Sequence, residues 1–301
     1  MKPFSHFVGI DWTGAKGKRH KGLKIAICEA GTHAPVIVPP KSGYKDWSRR
    51  ECAEWLSEGA GLPSGSRVLV GIDAAFGYPF DTDKGYLRGD LDLKSAPCLW
   101  DEIARKCDGD EDFFGGSFVQ AHARHYRTQR YDIASKKFDT VVDKQFFRPE
   151  LRDCEQICIK EKYGPCESVF NLIGASQVGK SALSTMIMLN QLRSHKDICV
   201  WPFDNIGNQQ LVLVEIYAAL FSKLGGHKGK VRNKDTLNAV FAELMTQPYQ
   251  FDLPLQRVDD ETDALVTAAG LRFIAHDRKY WHPPKLSTKV RRTEGWIFGV
   301  V

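Results

Sequence analysis

Three stretches of the chain are short apolar runs that stop at a carboxylate: HFVGID ending at Asp11, RVLVGID ending at Asp73, and QLVLVEIY around Glu215. Runs of this length, rich in β-branched residues, are the pattern of buried strands. Residues 5–11 therefore predict a first strand, 23–29 a second, 35–38 a short third before Pro39 and Pro40, and 67–73 a fourth. Between the third and fourth, residues 44–58 place Trp47, Cys52, Trp55 and Leu56 at helical spacing. Three strands, a helix and a further strand is the opening order of an RNase H-like fold. Farther on, the pattern predicts a helix at 97–107 and strands at 169–173, 198–203 and 211–217. Helices are expected at 180–194, 218–224, 235–246 and 259–276, with EGWIFGV as a closing strand. From 79 to 168 the periodicity weakens, and this segment is expected to be a large, partly helical insertion within a single domain spanning 1–301. The expected architecture is α/β, an RNase H-like mixed β-sheet flanked by helices.

A fourth acidic stretch, DDETDALVTAAG, reads as the first turn of the 259–276 helix. Asp260 and Asp263 lie three apart and share a face, which Thr267 and Gly270 continue with small groups. Such a face lets the helix lie close to the sheet while its acidic end reaches the strand tips. If the three strand ends and this helix start converge, Asp11, Asp73, Glu215, Asp260 and Asp263 surround one point. A cluster of that kind needs a cation, and hard oxygen donors favour Mg2+ or Mn2+. Taken one at a time, Asp260 also fits a helix cap and Asp11 or Asp73 a turn after a strand.

Composition narrows the setting. The 301 residues carry a formal net charge of +5, compatible with a polyanionic partner such as DNA or RNA. None of the eight cysteines forms a C-x-x-C pair, so free thiols in a reducing cytoplasm are expected. No run approaches the ~20 apolar residues of a membrane span. Arg124, Arg127 and Arg130, interleaved with Tyr126 and Tyr131, could hold phosphates and stack on bases, as could Lys16 and Lys18 just after Asp11. Solvated basic surface explains the isolated lysines equally well.

The chain resembles the predicted RNase H-like nucleases of domain-of-unknown-function family 429 in VGIDWTGA, VGIDAAFGYP, SVFNLIGASQVGKSAL, VWPFD, LVLVEIY, ETDALVTAAGLR and the terminal EGWIFGV. The Asp-x-x-Asp-Ala pattern at 260–264 is locally similar to the last motif of RuvC-type resolvases. The resemblance implies a nuclease that hydrolyses phosphodiester bonds with two divalent ions. It implies Asp11, Asp73, Asp260 and Asp263 as metal ligands, with Glu215 completing or tuning the shell.

Two other readings follow from the residues. Residues 174–181, GASQVGKS, satisfy the G-x-x-x-x-G-K-[ST] phosphate-loop pattern, with Gly174, Gly179, Lys180 and Ser181 as nucleotide contacts and Asp204 as a candidate partner acid. An ATPase or kinase is then the alternative, and VGIDWTGAK also looks a little like the phosphate loop of actin-like sugar kinases. The same glycine-rich loop could instead contact a nucleic-acid phosphate. A non-catalytic nucleic-acid-binding module is the third reading.

Overall fold

A computed structural model describes residues 2–132, 135–174 and 177–301. The chain begins with β1 (His6–Asp11), β2 (Lys24–Glu29), β3 (Val36–Ile37), α1 (Arg49–Ser57) and β4 (Val68–Ile72). There follow α2 (Ala96–Lys106), α3 (Gly116–Ala121), the hairpin β5 (Thr128–Asp132) and β6 (Lys137–Val141), then α4 (Asp153–Lys160) and α5 (Val178–Leu192). The last part contains β7 (Ile198–Val200), β8 (Leu211–Glu215), α6 (Ala218–Leu224), α7 (Lys234–Glu243), α8 (Val258–Ile274), α9 (Arg278–Trp281) and α10 (Thr288–Thr293).

Six strands form one mixed sheet in the order β3-β2-β1-β4-β8-β7. β2 runs antiparallel to β1, whereas β1, β4, β8 and β7 are parallel. The register pairs Ile10 with Ile72 and Ile72 with Glu215, so all three acidic strand ends lie at one edge of the sheet. Alternation along each strand divides the core. Val8, Ile10, Val70, Ile72 and Leu213 pack towards α1, α2 and α5, while Phe7, Leu69, Val212 and Val214 pack towards α6, α7 and α8. Being covered on both faces explains why these strands read as continuous apolar runs.

The contact that fixes the candidate site is α8 on β1. Gly9 has no room for a side chain: a Cβ there would lie 2.2 Å from the Ala264 carbonyl oxygen and 2.7 Å from the Ala268 nitrogen, with Thr267 also in contact. The small-residue face therefore does seat α8 on the sheet, with Gly9 as its partner in β1. Gly270 belongs elsewhere, because a Cβ on it would meet the Phe221 ring of α6 at 2.3 Å. Gly9→Ala is expected to lever α8 off β1 and to cost about 1–3 kcal/mol or more in urea unfolding. An unchanged midpoint would show that the helix can move freely.

Several boundaries differ from the sequence expectation. α1 starts at Arg49, five residues late, because the Ser48 hydroxyl accepts the Glu51 N–H and caps it there. Residues 169–173 form no strand; Asn171 makes one bridge to Arg127. EGWIFGV likewise makes one bridge, Ile297 to Glu215, and then turns. Within 79–168, α2 packs against α5 through Trp100 and Ile103 in the main core, and α4 buries Cys154 and Cys158 in the opposite one. Among the described residues, only β5 and β6 form a separate sheet.

Candidate functional site

A cleft of about 610 Å³ opens at the carboxyl ends of β1, β4 and β8, with Asp11, Asp73 and Glu215 in its wall. Asp73 is tied to β1 directly, its backbone N–H donating to the Ile10 carbonyl at 2.9 Å. The loop after Asp11 is fixed from three sides. The Trp12 indole donates to Ser184 of α5 at 2.9 Å, and Gly14 lies against the Lys180–Ser181 backbone so closely that a Cβ would sit 2.2 Å from it. Arg49, wholly buried, donates to the carbonyls of Thr13 and Ala15 and is held by Asp112, which also accepts from or pairs with His20 at 2.8 Å. The first turn of α5 thus becomes part of the cleft, and Lys180 and Ser181 line it beside Asp11.

Asp263 projects from the first turns of α8 and is buried behind Lys230, whose ammonium donates to it. Burial, and then the carboxylates of Asp263, Asp73 and Asp260, push the Asp11 carboxyl well above the usual range. Burial and Asp263 push the Asp73 carboxyl up to about 7. Burial also raises Asp263, against the opposing pull of Lys230. For Lys230 itself burial opposes the charge, but Asp263, Asp11 and Asp73 outweigh it and raise its pKa. Asp11 thus feels the other three carboxylates, with Lys230 as the cation paired to Asp263.

Asp260 is at the margin of this group. Its carboxylate accepts from Arg257, and the pair lies over Gly22. Glu215 is committed differently. Arg152 spans both of its oxygens, and the Phe76 N–H donates to it at 2.9 Å. Arg152 also bonds Glu155 at 2.9 Å and the Glu294 carbonyl at 3.0 Å. Among the described residues no three His, Cys, Asp or Glu side chains are disposed to hold a metal ion. In this arrangement Lys230 is paired with Asp263, Arg257 with Asp260 and Arg152 with Glu215.

The raised carboxyl of Asp73 has a pH consequence opposite to that of an ion-paired acid. Its folded pKa of about 7 exceeds the unfolded value of ~3.9, so the folded chain binds the proton more tightly. Its contribution to stability is greatest below about pH 4 and is lost as pH rises to about 7. Without divalent ions, Asp73→Asn is therefore expected to raise the urea midpoint at pH 8 and to raise it less at pH 5. An equal effect at both would remove Asp73 from the coupled group.

The other sequence candidates fall outside the cleft or are engaged. Arg124 forms a two-point pair with Asp90 and stacks over Phe146 at 4.3 Å, and His125 shares Asp90 at 2.6 Å. Arg127 and Arg130 are exposed on and beside the β5–β6 hairpin. Lys16 lies 6.0 Å over the Phe114 ring, and Lys18 is 3.9 Å from Glu111. Of the GASQVGKS motif, Ala175 and Ser176 lie outside the described residues. Gly179 packs against the Val169 carbonyl, and Lys180 donates to Gln177 at 2.8 Å. Among the described residues no strand leads directly into this loop, and Asp204 closes its own turn on the Val200 N–H at 2.8 Å. Sequence reasoning did not single out Lys230, Arg257 or Arg152. Only the lysine-bearing glycine turn GGHKGK hinted at the first, and nothing in the order of residues links Arg152 to Glu215. No family model, no curated protein and no solved structure matches this chain.

Proposed function

We propose that the chain is a metal-dependent nuclease with an RNase H-like core. The observation that carries this reading is the mutual electrostatic coupling of Asp11, Asp73, Asp263 and Asp260 at one edge of a sheet, beside an open cleft. The strand order β3-β2-β1-β4, with β2 alone reversed among the first four strands, supports the fold assignment. So does the resemblance of VGIDWTGA, VGIDAAFGYP and ETDALVTAAGLR to the predicted nucleases of family 429.

The donor chemistry suits a hard divalent cation, though the carboxylates would have to draw together to hold one, since no three are so disposed among the described residues. The set is all carboxylate oxygen, its members repel one another, and its present counter-charge is a lysine whose side chain is 54% exposed and so free to withdraw. Asp11, Asp73 and Asp263 would hold Mg2+ or Mn2+, with Asp260 released from Arg257 as a further ligand. Bound there, the cation would activate water and stabilise the leaving oxygen of a phosphodiester. Glu215, clamped by Arg152, keeps the end of β8 in place. Lys180, Ser181 and the start of α5 face the cleft where they would receive a substrate phosphate. That placement absorbs the lysine-serine pair without a nucleotide-hydrolysing site.

Cleavage of labelled single-stranded, duplex, hybrid and branched DNA and RNA, with Mg2+, Mn2+ or chelator, tests the reading. Metal-dependent cutting of any one substrate is the expected result. Binding without cutting, indifferent to chelator, would make the chain a binding module. ATP protection from thermal unfolding that is lost in Lys180→Ala would favour the nucleotide enzyme instead.

A further inference from the structure

The far end of β1 carries a second cavity, of about 770 Å³, away from the acidic edge. Phe4, Phe7 and Trp281 supply its aromatic walls, and Lys2, Arg272, His276, Arg278 and His282 its polar ones; no carboxylate is among its described lining residues. The aromatic wall is preformed. Phe4 stacks on Trp281 with centroids 5.8 Å apart, and the Trp281 indole is anchored to the Ala275 carbonyl at 2.7 Å.

Arg272 makes this cavity unusual. The residue is 8% exposed, yet its guanidinium pairs with no carboxylate among the described residues. Its partners are neutral oxygens: the carbonyls of Glu29 at 3.1 Å and His33 at 2.8 Å, and the Thr246 hydroxyl at 2.7 Å. Two of its five N–H donors, one of them on Nε, have no acceptor among these bonds. Buried charges are ordinarily paired. This one borders both the 770 Å³ cavity and a hollow of about 510 Å³.

We propose that the cavity binds a nucleoside monophosphate, the base against the aromatic wall and the phosphate at Arg272 and Arg278. The volume lies within the ~300–1,000 Å³ of small-molecule sites, and the lining joins aromatic rings to a set of basic side chains. A guanidinium fork suits a phosphate in two-point contact. Two arginines in a cavity with no acid among its described lining residues, Asp277 of the adjoining hollow being paired with Lys279, favour a dianion over a neutral ligand. The site is separate from the acidic cleft, since Arg272 lies nine residues beyond Asp263 on α8, about 14 Å along the helix. It does not depend on the nuclease reading.

Calorimetric titration of the full chain in chelator with adenosine or cytidine monophosphate tests the assignment. Saturable binding of one equivalent is expected, with adenosine and inorganic phosphate each at least about tenfold weaker. Arg278→Ala, at an exposed position, should weaken binding about tenfold without changing the melting temperature. Arg272→Met should weaken it further, and Asp11→Asn should leave it unchanged. Failure of both monophosphates to saturate, equal affinity in Arg278→Ala, or loss in Asp11→Asn would each overturn the proposal.

Discussion

Asp11→Asn is expected to lower metal-dependent cleavage by roughly a thousandfold or more while leaving the fold intact. Asp11 is the carboxylate on which the others converge: Asp263, Asp73 and Asp260 all raise its pKa, after burial. It also sits at the end of the strand seated directly under α8, where Gly9 meets Ala264 and Ala268. An amide of the same shape keeps that packing but removes the charge needed to hold a divalent ion. Because the carboxylates repel one another, the metal-free variant should melt no lower than wild type and should gain less on adding Mn2+. Asp260→Asn should cost less activity, since its carboxylate is already shared with Arg257. Cleavage retained in Asp11→Asn would withdraw the assignment, and a melting temperature well below wild type would make Asp11 a structural residue.

Much of the sheet was legible in the sequence because strands covered on both faces cannot hide their character. HFVGID, RVLVGID and QLVLVEIY each stop at an acid because the sheet stops there. The face of α8 was legible for a similar reason: only small groups can sit where a helix touches a glycine strand. Gly270 was misplaced because small residues look alike whether they meet a sheet or, as here, the Phe221 ring. The strand expected at 169–173 failed on context. VFNLI has strand character, but Val169, Phe170 and Leu172 bury their side chains beneath α5 without joining the sheet. The partners of the acids were least legible. Lys230 comes 33 residues before Asp263, and Arg152 lies 63 before Glu215. Such pairings follow from tertiary arrangement and leave no local periodicity. The arginines at 124–130 show the converse, since their clustering suggested a phosphate grip whereas Asp90 claims Arg124.

Arg152→Ala is expected to destabilise the protein by about 3–5 kcal/mol, more than any substitution in the acidic cleft. The guanidinium is 1% exposed and satisfies Glu215, Glu155 and the Glu294 carbonyl together. Removing it strands two buried carboxylates with no counter-charge, and their desolvation is then uncompensated. Lysine should not rescue the variant, because one ammonium cannot span both oxygens of Glu215 while also reaching Glu155. Replacing both members, Arg152→Met with Glu215→Gln, should recover part of the loss, the sign of a coupled pair. Urea unfolding at neutral pH measures all three, and a loss under about 1 kcal/mol for Arg152→Ala would mean that water reaches the pair. The cleft depends on the same contact. Arg152 joins α4 to the end of β8 and to the C-terminal segment at Glu294, so the wall of the cleft needs this buried charge to keep its shape.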